Sequence, residues 1–343
     1  MTTEKQNMEK KKIKTTEKQK EYLKINLKEC LKTEFYESKT TTIKNERFWN
    51  CLIASILCGE NQKESIKKFC NDIDNEVDYI YLEAIPEHPR DKDGDTHLDI
   101  SFGNIQNRKS TKNGIEFNSE KNQINEENKK PDDKPEKKPW VCFVEGKLYS
   151  DCSKDITHDP FRNQIIRVID NLLCFHYLEN KNDKQSNKYF PENLYFVLLT
   201  PRAFKEHKKT RLYGYKYLDY YDEENKKIKH ENIINDLLEY RDEINDEKYI
   251  EKIKKYNDSE KIENNLKINW VTYEEIIEDE YKDKLQNYKL EKGKLDIVNA
   301  IKGENEEQLK FFYDIFKDLF KNLDNIIEVP KKIMPFNLNI VKK

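Results

Sequence analysis

The amino-acid sequence predicts an α/β fold with a mixed sheet, in the order helix, strand, strand, strand, helix, strand, followed by a mainly helical C-terminal region. Three observations predict it. Short apolar runs such as "WVCFV" (140–144) and "NLYFVLLT" (193–200) have the length and composition of buried strands. Other stretches repeat their apolar residues at helical spacing behind a capping residue. The chain is 38% charged and only 36% hydrophobic, yet its 16 Phe and 20 Tyr, with many Ile and Leu, can still fill a sizeable core.

The elements follow in order. Residues 1–34 hold ten Lys and six Glu, which reads as a solvated tail that could touch phosphate non-specifically. The proposed core spans 35–202. Its first helix is "NERFWNCLIASIL" (45–57), where Phe48, Leu52, Ile53, Ile56 and Leu57 share a face and Asn45 can cap. A second helix is expected in "ESIKKFCNDI" (64–73). "DYIYLEAIP" (78–86) and "THLDISFG" (96–103) read as strands stopped by Pro86 and Gly103. Residues 104–139 are polar, and "NEENKKPDDKPEKKP" (125–139) is low-complexity, so this span reads as a surface insertion without regular structure. After the strand at 140–147, "DPFRNQIIRVIDNLLCFHYLE" (159–179) carries a helical stripe with Asp159 as cap and Pro160 in the first turn. Beyond the strand at 193–200, the region 203–343 reads as mainly helical. Its spaced tyrosines 213, 215, 217, 220 and 221 suggest a half-buried strand face, or a surface on which bases stack. A charged helical stretch covers about 230–263, a returning strand lies near 268–273, and a closing helix covers 306–323.

Composition excludes several classes. A formal net charge of −3 excludes a uniformly basic nucleic-acid binder but leaves room for a local basic groove. No apolar run approaches the roughly 20 residues of a membrane span, and the N-terminus has no apolar signal segment, so the expectation is a cytoplasmic protein without a membrane partner. Seven scattered cysteines with no CxxC pair argue against a disulfide framework and a structural zinc site. No glycine-rich phosphate loop is present.

The chemistry concentrates where one strand loses its apolar pattern, at "VEGK" (144–147). Residues two apart in a strand share a face, so Glu145 and Lys147 point the same way, as do His97, Asp99 and Ser101 on the preceding strand. If these strands pair, Asp99 sits beside Glu145. Two carboxylates that close cannot both ionise comfortably in a dry site, and a divalent cation between them removes the conflict. Mg²⁺ accepts one or two carboxylates and completes its shell with water and phosphate. Mn²⁺ is the natural substitute. A lysine at the rim then stabilises charge on phosphorus. The triplet Glu-x-Lys occurs nine times in this chain, but only at Glu145 does it end an apolar strand downstream of a strand-borne Asp and before a helix. His97 is a further candidate ligand or base, though a hydrogen-bonded neighbour is the commoner role. Asp151 reads as a turn cap.

In these parts the sequence resembles the PD-(D/E)xK nuclease superfamily, the restriction-endonuclease-like fold. The resemblance rests on "LDI" with Asp99, "VEGK" with Glu145 and Lys147, and the element order over about 45–202. It implies a Mg²⁺-dependent nuclease acting on DNA, with Asp99 and Glu145 as metal ligands and Lys147 as the catalytic cation. It further implies that Glu46, at the start of the first helix, adds to the metal site, and that Arg162, Gln164 and Arg167, on the helix after the Glu-x-Lys strand, contact nucleic acid. A homodimer is compatible with it. The 46 positions between Asp99 and Glu145 are a departure, which the insertion accounts for. Two other readings stand beside this one: a catalytically inactive nucleic-acid-binding scaffold on a decayed nuclease fold, and an activator-dependent defence nuclease with 203–343 as its sensor.

Overall fold

A computed structural model describes residues 46–59, 61–75, 77, 79–87, 96–108, 114–118, 138–152, 162–178, 188–238, 261–290, 293–302, 305–325 and 333–335. The Lys-rich segment 1–34, the caps expected at Asn45 and Asp159, Pro160, and most of the low-complexity insertion lie outside these residues.

The fold is α/β. Its centre is a mixed sheet of five strands: β1 (Ile80–Ala84), β2 (Leu98–Gly103), β3 (Trp140–Gly146), β4 (Asn193–Thr200) and β5 (Leu266–Thr272). A three-residue strand β6 (Ile333–Pro335) runs parallel to β1 and makes the order β5-β4-β3-β2-β1-β6. β1, β2 and β3 pair antiparallel, whereas β3, β4 and β5 pair parallel. The parallel half is covered on both faces, which is why β3 and β4 read as continuous apolar runs rather than alternating ones.

Helices close both faces. On one lie α1 (Glu46–Leu57) and α2 (Gln62–Phe69), whose Trp49, Leu52, Ile66 and Phe69 join Ile100, Phe102, Cys142, Val144 and Tyr195 in one core. On the other lies α3 (Gln164–Leu173), whose Ile165, Ile169 and Leu172 pack with Val141, Phe143, Phe196 and Leu198. The α3 helix starts later than the sequence suggested: Asn163 is the cap, and its side chain accepts a hydrogen bond from Ile166 N at 3.1 Å. After β4 come α4 (Arg202–Glu206), α5 (Leu212–Tyr220) and α6 (His230–Leu238). After β5 come α7 (Tyr273–Glu280), α8 (Ile297–Lys302) and α9 (Glu306–Asn325). The strand expected near 268–273 therefore exists and returns to the sheet beside β4.

Two expectations need correction. The tyrosine-rich segment is the helix α5, not a strand: Tyr213, Tyr217 and Tyr220 are buried on one side while Tyr215 is 50% exposed. Spacings of three and four carried the pattern, and the intervening tyrosines obscured it. The insertion is not wholly irregular either. Ile105–Asn107 pairs antiparallel with Ile115–Phe117, and Ile105, Ile115 and Phe117 are buried. Three-residue strands are too short for a periodic signal. The entry to this hairpin needs Gly103, whose φ of 116° suits glycine and where a Cβ would lie 2.5 Å from Trp140 O.

Among the described residues, no helix is long and apolar enough to cross a membrane.

Candidate active site

The antiparallel register pairs Ile100 with Val144, and one step further it sets Asp99 opposite Glu145. Directly opposed side chains share a face of the sheet. The two carboxylates expected to meet are therefore on the same side of adjacent strands, at the end where β3 stops. Asp99 Oδ2 accepts a hydrogen bond from Gly146 N at 2.8 Å, which fastens β2 to the last residue of β3. Asp99 remains partly exposed, whereas Glu145 is 0% exposed.

Lys147 follows on the same side. Its Nζ stands 2.8 Å from Glu145 Oε1 and 3.7 Å from Glu46 Oε1. Burial works against its ammonium, but Glu145, Glu46 and Asp99 outweigh burial and raise its pKa above that of an ordinary lysine. It stays cationic. Burial pushes Glu145 upward, opposed chiefly by Lys147. Burial also pushes Asp99 well up, and the charge of Glu145 adds to it.

One lysine does not satisfy two carboxylates here. Both Glu145 oxygens are buried without a hydrogen bond of good geometry; the contact from Lys147 is an ion pair in distance only. A buried carboxylate with one ammonium contact and no well-formed hydrogen bond still has acceptor capacity to fill. Asp99 and Glu145 form an all-oxygen pair suited to a hard divalent cation that keeps several waters. Among the described residues no group of three or more His, Cys, Asp or Glu is arranged to hold a metal.

Glu46 comes to the site but has another task. Its Oε2 accepts from Leu148 N at 2.9 Å and Ser150 Oγ at 3.0 Å, so the start of α1 holds the segment that carries Lys147. His97 does not join: it is half-exposed, with Nδ1 3.9 Å from Glu83. Asp151 is a cap: it accepts locally from Cys152 N at 2.7 Å and also holds a distant segment. It accepts from Leu212 N at 2.8 Å and Tyr213 N at 3.3 Å, at the start of α5.

The three α3 candidates separate. Arg162 is 1% exposed and its Nη1 lies 2.5 Å from Asp170 Oδ2, so its charge is neutralised in the interior rather than offered to phosphate. Arg167 is buried nearer the site, and its charge favours the ionised form of Glu145. Gln164 opens α3 and is partly exposed.

Sequence reasoning missed Asn50 and Tyr273. The Tyr273 hydroxyl donates to Asn50 Oδ1 at 3.1 Å, and both residues are buried. They press on the glycine between the candidate acid and the candidate cation: a Cβ on Gly146 would lie 2.5 Å from Asn50 Oδ1 and 2.8 Å from the Tyr273 hydroxyl. A glycine there lets α1 and α7 close on the strand end. The capping box of Thr272 and Glu275 is legible in sequence and marks the start of α7, but no local signal says that Tyr273 reaches α1. Compared with family models, with curated proteins and with solved structures, the chain matches none of them.

Proposed function

We propose that the chain is a metal-dependent nuclease of the PD-(D/E)xK type that hydrolyses phosphodiester bonds in DNA. One observation carries the reading: two carboxylates, Asp99 and Glu145, face each other at the ends of paired strands with Lys147 beside them, and the fully buried one lacks hydrogen bonds. The antiparallel β1-β2-β3 unit followed by α3 and the parallel β4 supports a restriction-endonuclease-like core. Bound between Asp99 and Glu145, Mg²⁺ would supply a polarised water and a counter-charge for the scissile phosphate. Lys147, held protonated, would donate to the oxygen on which charge builds as the new P–O bond forms and the leaving oxygen departs. Asp99, partly open to solvent, gives the phosphate its approach. Arg167 supports the ionised form of Glu145.

The test is incubation of purified protein with plasmid DNA and, separately, RNA, with Mg²⁺ or Mn²⁺ and with chelator. Cleavage of DNA that stops in chelator and in both Asp99→Asn and Lys147→Gln is expected. Metal binding should survive Lys147→Gln and fail in Asp99→Asn. Nucleic-acid binding without cleavage, unchanged in both variants, would instead identify a scaffold on a decayed nuclease fold.

A further inference from the structure

At the N-terminal ends of β4 and β5 a cleft of about 500 Å³ opens between the end of α2, the hairpin 221–228 and the start of β5. We propose that this cleft binds the phosphate group of a nucleotide, at a place distinct from the Asp99–Glu145 site. Its volume is in the range of small-molecule sites. Its charge is the first argument. Three of the charged residues lining it are lysines, Lys226, Lys227 and Lys267, against the single acid Asp72. Asp72 is already paired with Lys267. Lys226 and Lys227 have no ion pair among the described residues, so two of the three ammonium groups at the cleft are unpaired among those residues. Lysine binds phosphate as a point charge.

The second argument is preorganisation. Lys226 sits at a φ of 53° in the hairpin turn. Asp222 braces that turn by accepting from Glu224 N at 3.0 Å, Asn225 N at 3.1 Å and Asn225 Nδ2 at 2.9 Å. Asp222 lies opposite Lys227 in the hairpin, but its carboxylate is occupied by Asn225. Less ordering then remains for a ligand to impose.

The third argument concerns the rest of the ligand. Tyr195 and Tyr221 line the cleft, and Lys267 Nζ stands 5.1 Å from the Tyr195 ring centroid. Tyr195 is buried beneath Lys267, so the ring partly open to the cleft is that of Tyr221, and an aromatic side chain there can serve as a platform for a base. The amides of Asn71 and Asn264 also line it and have no partner among the described residues, which leaves both donors and acceptors for a base edge. Phosphate cations, an aromatic wall and free amides together fit a nucleoside phosphate better than a bare anion.

The cleft and the candidate active site are separate by construction of the sheet. Tyr195 is level with Cys142, three residues before Glu145, or roughly 10 Å along the strand.

Calorimetric titration of the full chain, in chelator, would use three probes: adenosine 5′-monophosphate, inorganic phosphate and a short single-stranded oligodeoxynucleotide. The variants are Lys226→Asn/Lys227→Gln, in which Asn tolerates the positive φ, and Lys147→Gln. Saturable binding of adenosine 5′-monophosphate is expected, tighter than that of phosphate and weakened about tenfold or more in the double variant. Lys147→Gln should leave it unchanged. Binding of the oligonucleotide alone, with the same dependence on Lys226 and Lys227, supports the site and identifies its phosphate as part of a strand. The proposal is overturned if no probe saturates, if the double variant binds as wild type does, or if Lys147→Gln abolishes binding. Because the readout is binding without metal, its failure is distinguishable from failure of the cleavage assay.

Discussion

Asp99 Oδ2 accepts a 2.8 Å hydrogen bond from Gly146 N, so the first carboxylate of the candidate site is tied to the peptide between the second carboxylate and the lysine. The spacing of Asp99, Glu145 and Lys147 is thus set by one inter-strand bond as well as by the sheet register. Asn at position 99 can still accept that bond, while removing a negative charge that burial and Glu145 both disfavour.

Asp99→Asn should therefore fold, and without metal should melt a few degrees higher than wild type. Added Mg²⁺ should raise the melting temperature of wild type through preferential binding to the native state, and leave the variant unmoved. Thermal melts with a Mg²⁺ titration read both effects. Equal Mg²⁺ shifts in the two proteins would remove Asp99 from the metal site.

Gly146→Ala should cost about 1–3 kcal/mol, because its methyl group meets Asn50 and Tyr273 where those two are already bonded to each other. Asn50→Ala opens that space. The double variant Gly146→Ala/Asn50→Ala should then lose less than the sum of the single losses. Urea unfolding of the four proteins measures the coupling. Strict additivity would show that Asn50 is not what excludes a side chain there.

Arg162→Ala should destabilise by about 3–5 kcal/mol, since it takes the guanidinium away from the buried carboxylate of Asp170. A double change, Arg162→Met/Asp170→Leu, should recover most of that loss and retain nucleic-acid affinity. Weakened nucleic-acid binding by this folded double variant would return Arg162 to the interface.

Glu274 gives the stability a pH dependence. Burial pushes its pKa up from 4.5 to about 7, although Ile297 N at 3.1 Å and Arg202 N at 2.8 Å both donate to it. A carboxyl whose folded pKa is raised binds its proton more tightly in the native state. Its contribution is complete below the unfolded value and is lost as pH rises towards about 7. The loss is on the order of 3 kcal/mol. Glu274→Gln should flatten the stability profile between about pH 5 and about pH 8. Chemical unfolding at both ends of that window checks it, and an unchanged slope in the variant would assign the pH dependence to other groups.

The local sequence determined most of the sheet. β4 begins and ends at the residues its apolar run predicts, and β5 with α7 emerges from "KINWVTYEEI" because both elements carry their own strong pattern. Asp99, Glu145 and Lys147 were legible for the same reason: a carboxylate that interrupts a buried strand is a visible exception to an apolar rule. What no window of sequence holds is proximity. The use of Glu46 to anchor Leu148, the burial of Arg162 against Asp170, and the closure of Asn50 and Tyr273 on Gly146 all join residues far apart in the chain or on different turns of structure. Asn50 and Tyr273 are separated by 223 positions and meet through a single hydrogen bond. Periodicity reports which side of an element is buried, because burial repeats with the geometry of the backbone. Which partner waits on that side is decided by how the layers pack, and that was settled only when α1 and α7 came down on the same end of β3.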